Sequence, residues 1–192
     1  MLKSRIITTL LWDGIQQVKP VQFKRPYRKL GSMMDAIKVV EKRDIDELIL
    51  LDIEATYQNR KPLFKEIQEF TNNIFCPVTI GGGILELDDI TKLLESGADK
   101  VCICEEAIHN PYFIEQAARK FGSQAIVVAV NTMLSHVASS IGDRFNSTNA
   151  KIYAKAIEDC GAGEIILTDV LKDGMMQGYN AELIFEVSYD LS

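Results

Sequence analysis

The chain has 192 residues, of which 47% are hydrophobic and 25% are charged, and its formal net charge is −6. These values predict one globular domain with a sizeable core, and the acidic balance argues against a nucleic-acid-binding surface. There is no cleavable signal pattern, no apolar run long enough for a bilayer, and no CxxC spacing among the four cysteines. We therefore expect a cytoplasmic protein with reduced thiols, no metal site and no membrane contact.

Strand-like and helix-like patterns alternate along the chain. Strands are predicted at 5–11, 48–53, 76–80, 100–104, 125–130 and 164–169. Helices are predicted at 32–43, 62–73, 88–95, 110–121, 151–159 and 181–187. A weakly alternating stretch at 18–23 indicates a short extra strand, and the Ser- and Asn-rich stretch at 133–149 indicates a loop. Six βα units predict a parallel sheet in a single domain over 1–192.

Three consecutive glycines at 81–83 follow a predicted strand and precede a predicted helix. Glycines let the backbone take positive φ and approach a ligand closely, and a helix N-terminus favours an anion such as phosphate. The same pattern also suits a tight strand-to-helix turn that binds nothing. The glycines alone leave both interpretations open.

The stretch at 36–53 recurs at 153–170, with four charged pairs in register: Lys38/Lys155, Glu41/Glu158, Glu47/Glu164 and Asp52/Asp169. We interpret this match as a duplication, although chance similarity between two βα units is the alternative. A duplicated four-unit half predicts an eight-unit (β/α)8 barrel. On that reading, about six units are present and the last two are missing. The open strand edges would then favour self-association.

Many short motifs follow the order of a known family, and they cover nearly the whole chain: Asp13-Gly14, Val18-Lys19, Asp46-Glu47-Leu48, Gly81-Gly82-Gly83-Ile84, Gly97-Ala98-Asp99-Lys100, Asn110-Pro111, Gly161-Ala162-Gly163-Glu164 and Lys172-Asp173-Gly174. At these residues the chain resembles the cyclase subunit of imidazole glycerol phosphate synthase, a TIM barrel of histidine biosynthesis. Positions 10–11 and 46–53 look closer to paralogues in bacterial surface-polysaccharide pathways.

This resemblance implies an ammonia-dependent lyase without a cofactor. A glutaminase partner would dock at the bottom of the barrel, and ammonia would travel to the top. There a ribosyl-formimino carboxamide ribonucleotide would be cleaved and cyclised by two aspartates at the ends of strands 1 and 5. Two phosphate sites would hold the ends of the substrate.

The bottom of the barrel retains the residues that the resemblance predicts for an ammonia gate: Arg5, Glu47, Lys100 and Glu164. Two cations and two anions can neutralise one another, whereas a single buried charge would be costly. The alternative is four independent strand-end charges that face solvent.

The top departs from the family pattern. Leu11 and Asn131 stand at the two catalytic aspartate positions, and Cys104-Glu105 replaces an Asn-Thr pair at the first phosphate site. Leucine exchanges no protons, a carboxamide is no general base near neutral pH, and a carboxylate repels phosphate. Asp52 and Asp173 are the remaining candidates for positioning a substrate, or they are merely capping and turn residues. The remaining predicted substrate- and phosphate-binding residues are Lys19, Gly82, Gly83, Thr168 and Gly174.

Three functions compete at this point. The first is a glutamine amidotransferase subunit whose cyclase-type activity is altered or weakened. The second is a non-catalytic binding or regulatory paralogue that docks a glutaminase. The third is authentic imidazole glycerol phosphate synthase of histidine biosynthesis. Whether the chain is an enzyme depends on which of these holds.

Overall fold

The computed structural model describes residues 4–139 and 145–192, with all side chains except those of 145–147. The described part of the chain contains ten strands: β1 Ile7–Trp12, β2 Gln17–Val21, β3 Lys24–Gly31, β4 Glu47–Asp52, β5 Val78–Gly81, β6 Lys100–Ile103, β7 Ile126–Met133, β8 His136–Ala138, β9 Phe145–Asn149 and β10 Glu164–Asp169. It also contains seven α-helices: α1 Met33–Glu41, α2 Phe64–Thr71, α3 Leu87–Glu95, α4 Glu105–His109, α5 Pro111–Phe121, α6 Ala150–Asp159 and α7 Ala181–Ser188.

The chain divides into two compact units, which are described separately. Unit 1 comprises Met1–Lys19 and Arg28–Cys102, and unit 2 comprises Pro20–Tyr27 and Ile103–Ser192. In unit 1, β1, β4, β5 and β6 pair in parallel in that order. β2 pairs with β1 in the antiparallel direction, on the edge of β1 opposite to β4.

Buried apolar runs explain the parallel strands of unit 1. Five of the six residues of β4 are buried, and all four residues of β5 are buried. Strands with so little polar alternation suit a sheet that is covered on both faces. Helices α1, α2 and α3 bury residues at helical spacing, including Ile37, Ile67 and Ile90. Ser32 accepts a hydrogen bond from the Asp35 amide and caps α1.

In unit 2, β10 pairs in parallel with β7, from Glu164 opposite Val127 to Asp169 opposite Thr132. β7 continues into an antiparallel pair with β8, which pairs with β9. Asn149 caps α6 by accepting from the Lys151 and Ile152 amides. Small and branched residues of α6 and α7 form an apolar cluster: Ala150, Ala154, Leu183 and Val187, with Ile165, Leu167 and Leu191 against it.

The alternating, parallel α/β architecture is confirmed, one local prediction is wrong, and two short elements were not predicted. The stretch at 133–149 was predicted to be a loop. Its described residues instead contain β8 and β9, which form a short antiparallel pair. The short extra strand predicted at 18–23 is confirmed as β2, and the strand that follows it, β3, was not predicted. The helix predicted at 110–121 begins at Pro111 and is preceded by the separate helix α4. These elements are short or exposed, so they lack the burial periodicity that reveals the others.

Within the described ranges, no helix combines the length and apolarity needed to cross a bilayer. The same residues contain no cluster of three or more His, Cys, Asp or Glu side chains suited to a metal ion. The four cysteines, all of which lie in described positions, form no disulfide.

Candidate functional site

Three charged side chains meet at the amino-terminal ends of strands in unit 1. A guanidinium nitrogen of Arg5 donates to Oε1 of Glu47, and Lys100 Nζ donates to Oε2 of the same carboxylate at 2.9 Å. Glu47 is only 5% exposed, whereas the side chain of Arg5 is about half-exposed. Each carboxylate oxygen therefore has a cation of its own, which offsets the cost of burying the charge.

The structure thus brings three of the predicted gate residues into contact. Glu47 shares its strand face with Ile49 and Leu51, because side chains alternate along a strand. Glu164 begins β10 in unit 2, on the face of that strand that carries Thr168. A role of these four residues as an ammonia gate stays a prediction.

An apolar row lies at the carboxyl-terminal end of the same sheet face of unit 1. Strand register places four residues side by side, in the order Leu11, Leu51, Gly81 and Cys102. Leu11 is half-buried beside Leu51. This row carries no carboxylate, and at the position where the family resemblance predicts an aspartate, Leu11 cannot transfer a proton.

The glycine turn packs against neighbouring backbone. A methyl group on Gly82 would lie 2.2 Å from the carbonyl oxygen of Asp52, and one on Gly83 would lie 2.6 Å from that of Arg60. The φ angles of Gly82 and Gly83 are +108° and +73°, which also favour glycine. Close approach of two chain segments therefore accounts for these glycines, and phosphate binding by Gly82 and Gly83 stays a prediction.

The amides at the N-terminal end of α3 bind a carboxylate of the chain itself, that of Asp89. Oδ2 of Asp89 accepts hydrogen bonds from the Leu85 and Glu86 amides, both at 3.1 Å. Lys61 Nζ lies 3.0 Å from Oδ1 of the same carboxylate. These amides at the helix entrance are satisfied by Asp89, as in other capped helices.

Asp52, a predicted site residue, lies at the end of β4 and is bound on both carboxylate oxygens. Oδ1 accepts from the Glu54 and Ala55 amides at 3.2 and 3.1 Å and from Arg60 Nη2 at 2.8 Å. Oδ2 lies 2.7 Å from Arg60 Nη1. Burial raises the pKa of Asp52, and the Arg60 guanidinium acts in the opposite direction. The arrangement fixes the carboxylate in one orientation.

In unit 2, Asn131 on β7 lies beside Thr168 on β10. Asn131 is buried, and its Nδ2 donates to Cys104 Sγ at 3.4 Å. A carboxamide can orient a ligand by hydrogen bonding, but it does not take up a proton near neutral pH. Asn131, Thr168 and Cys104 are therefore brought together as a polar group without a carboxylate.

Glu105, the other residue at the predicted phosphate site, is the first residue of α4 and is buried. Ser139 Oγ lies 2.9 Å from both of its carboxylate oxygens. The nearby Tyr153 hydroxyl is buried and makes no hydrogen bond with the described residues. Burial, together with negative charge on Cys104 and Glu105, raises the pKa of Tyr153.

Asp173 and Gly174 lie in the turn after β10 and contact the hairpin residues of unit 2. The Asp173 carbonyl accepts from the Gln22 amide at 3.0 Å. A methyl group on Gly174 would lie 2.7 Å from the Pro20 carbonyl oxygen, and its φ is +71°. Lys19 is exposed on β2. Roles of these residues in substrate binding stay predictions.

Sequence reasoning missed Arg60 and Ser139. Arg60 lies in an irregular loop, and its only signal is a cation a few residues after an aspartate that ends a buried strand. Ser139 lies in the stretch that was predicted to be a loop, and no periodicity or spacing marks it.

Comparison with known proteins identifies the family and confirms the resemblance. Residues 11–192 match the family described as "Histidine biosynthesis protein". A protein of Hydrogenobaculum sp. (strain Y04AAS1) named "Imidazole glycerol phosphate synthase subunit HisF" is 44% identical over 191 residues, or 95% of this chain and 74% of the relative. A protein of the same name from Staphylococcus aureus strain Newman is 38% identical, over 95% of this chain and 74% of the relative. The one from strain bovine RF122 is 37% identical, over 97% of this chain and 76% of the relative. The chain therefore belongs to the histidine biosynthesis protein family, as a relative of its HisF subunits.

Proposed function

We propose that this chain is a cyclase-type subunit of a glutamine amidotransferase, which receives ammonia from a glutaminase partner and carries out an altered or weakened reaction. Family membership supports the cyclase-type assignment. The contacts of Glu47 with Arg5 and Lys100 support a retained entrance for ammonia, because they hold polar groups in fixed positions at one end of the strands.

The main support for an altered reaction is that the row of residues containing Leu11 has no carboxylate. Neither Leu11 nor Asn131 can act as a general acid or base. Proton transfer by a positioned side chain contributes about 10²–10⁴-fold to rate. We therefore expect turnover of the family's ribonucleotide at least about 100-fold below that of a relative with aspartates at these positions.

A second candidate is authentic imidazole glycerol phosphate synthase. It is favoured by the names of the relatives, which are 37–44% identical to this chain. In that case, Asp52 or Asp173 would have to serve the reaction from its present position. Asp52 already has both oxygens bound by Arg60 and backbone amides, which argues against a mobile proton-transfer role.

Steady-state turnover with an ammonium salt as the nitrogen source separates the candidates. We expect weak turnover of the ribonucleotide, and an increase in the variant that combines Leu11→Asp with Asn131→Asp. Turnover at a relative's level would establish the second candidate. Phosphorylated sugars of surface-polysaccharide synthesis are tested beside the ribonucleotide. Failure of all substrates, with retained co-purification of a glutaminase, would instead indicate a non-catalytic binding subunit.

A further inference from the structure

The Asp52–Arg60 ion pair lies at the carboxyl-terminal ends of the strands in unit 1. The two guanidinium contacts are 2.8 and 2.7 Å long. The side chain of Asp52 is 4% exposed and that of Arg60 is 22% exposed. Only the Nη2–Oδ1 contact is a hydrogen bond, and Nη1 and Oδ2 form an ion pair without hydrogen-bond geometry. A charge-assisted hydrogen bond in a desolvated position still restricts the orientations of both side chains.

Asp52 and Arg60 approach the turns after β1 and β5, the first through the Arg60 side chain and the second through their backbone carbonyls. A methyl group on Gly14, in the turn after β1, would lie 2.5 Å from Arg60 Nη2. The carbonyl of Asp52 contacts Gly82, and the carbonyl of Arg60 contacts Gly83. The glycine after β1 thus leaves room for the Arg60 guanidinium, and the two glycines after β5 leave room for the backbone of Asp52 and Arg60.

The neighbouring charged groups have partners of their own. Asp13, at the end of β1, accepts from the Ile15 and Gln16 amides at 2.9 and 2.8 Å. Glu54, the next carboxylate after Asp52, accepts from Gln58 Nε2 at 3.3 Å. The third donor of Arg60, Nε, binds Gln58 Oε1 at 2.9 Å. Arg60 therefore uses Nε and Nη2 for hydrogen bonds within the loop that connects β4 to α2, and among the described residues its Nη1 makes only the ion pair with Oδ2 of Asp52.

We propose that Arg60 is a positioning residue: it fixes Asp52 and, through the contacts of both residues, holds the turns after β1, β4 and β5 in one arrangement for substrate binding. Only the expected effect on turnover rests on the proposed function. The positioning itself is a property of the folded chain and can be measured without a substrate.

The substrate-free test compares Arg60→Gln and Arg60→Lys with the control Arg119→Gln, which removes an exposed arginine of α5 paired with Glu115. We expect Arg60→Gln to shift the amide NMR signals of Gly14, Gly82 and Gly83 together, and Arg60→Lys to shift them less. The control should leave all three unchanged. Unchanged signals for Gly14 and Gly82 in folded Arg60→Gln would overturn the proposal. Arg60→Lys keeps a cation at this position. If Arg60→Gln does not fold, the shifts of the same three glycine signals in Arg60→Lys decide the proposal.

The second test follows kcat/KM against pH with the ammonium salt and the ribonucleotide. We expect a loss of about 100-fold in Arg60→Gln, as displaced active-site groups commonly cause, and a smaller loss in Arg60→Lys. Arg60→Gln should also show a new ionisation, which disappears when Asp52→Asn is added. A loss without that ionisation would show that Arg60 acts only on stability and would overturn the positioning role. If the wild-type chain has no turnover, the proposed function fails, whereas the NMR comparison still decides the role of Arg60.

Discussion

Replacing Glu47 by glutamine tests the buried charge cluster of unit 1 directly. The substitution keeps the size of the side chain and removes the charge that Lys100 approaches at 2.9 Å. The side chain of Lys100 is only 15% exposed, so the substitution would remove the Glu47 charge from beside a largely desolvated cation. Breaking one partner of a buried ion pair costs about 3–5 kcal/mol. The contact to Arg5 adds little, because exposed pairs contribute about 0–1 kcal/mol.

We therefore expect Glu47→Gln to lower the free energy of unfolding by about 3 kcal/mol. For a chain of this size, that loss corresponds to a Tm lower by about 6–12 °C. Urea denaturation followed by circular dichroism gives the free energy, and a thermal scan gives Tm. The control is Asp88→Asn, which breaks a surface pair with Lys92 at 2.7 Å, and we expect little change from it.

A double-mutant cycle that combines Glu47→Gln with Lys100→Met then isolates the interaction energy between Glu47 and Lys100. If Glu47 and Lys100 interact as the structure shows, the loss in the double variant should be about 2 kcal/mol smaller than the sum of the single losses. Additive losses, or a Glu47→Gln variant as stable as the wild type, would refute the conclusion that this cluster is buried and mutually neutralised.

Three further predictions concern single positions. Gly82→Ala should lower the free energy of unfolding, measured in urea, by about 3 kcal/mol. The reason is that φ is positive there and a methyl group would overlap the Asp52 carbonyl. The control Gly178→Ala, which has open space around it, should lower it by about 1 kcal/mol. Tyr153→Phe should keep or raise the free energy of unfolding, by up to about 1 kcal/mol, since its buried hydroxyl makes no hydrogen bond with described residues; a clear loss would contradict this. Burial raises the pKa of Asp52 in the folded chain, so its protonation stabilises the fold at low pH and that contribution is lost as pH rises through the folded pKa. Arg60→Gln removes an opposing effect, so its deficit in unfolding free energy should grow between about pH 4 and pH 7, as measured by urea titrations at each pH.

The main architecture could be predicted because burial dictates it. The apolar runs of β4 and β7 admit few structures other than buried parallel strands, and β10 matches its predicted bounds of 164–169. The contact of Glu47 with Lys100 was also predictable, since both residues begin parallel strands and such ends share one edge of a sheet.

The site details depend on contacts that sequence patterns do not encode. The glycine turn was predicted to be either a phosphate cradle or a tight turn, and only the position of the Asp52 and Arg60 carbonyls shows why Gly82 and Gly83 are needed there. Likewise, Ser139 reaches Glu105 because β8 turns the chain back, and β8 has only three residues. A strand that short has too little periodicity to be recognised.

The two similar stretches at 36–53 and 153–170 share one turn and differ in its partner. Asp52 and Asp169 end corresponding strands, and Oδ1 of each accepts from the amide two residues later, at 3.2 and 3.0 Å. The aspartate therefore builds the same turn in both halves, as short acidic side chains do after strands. Its second oxygen meets Arg60 in one half and the neutral Asn180 Nδ2, at 2.8 Å, in the other. Asn180 in turn accepts from the Leu183 amide at 3.3 Å and begins α7. Because the turn is common to both stretches, the aspartate is explained by local structure, and the stretches differ in the partner of its second oxygen: a cation in unit 1, and an amide that caps α7 in unit 2.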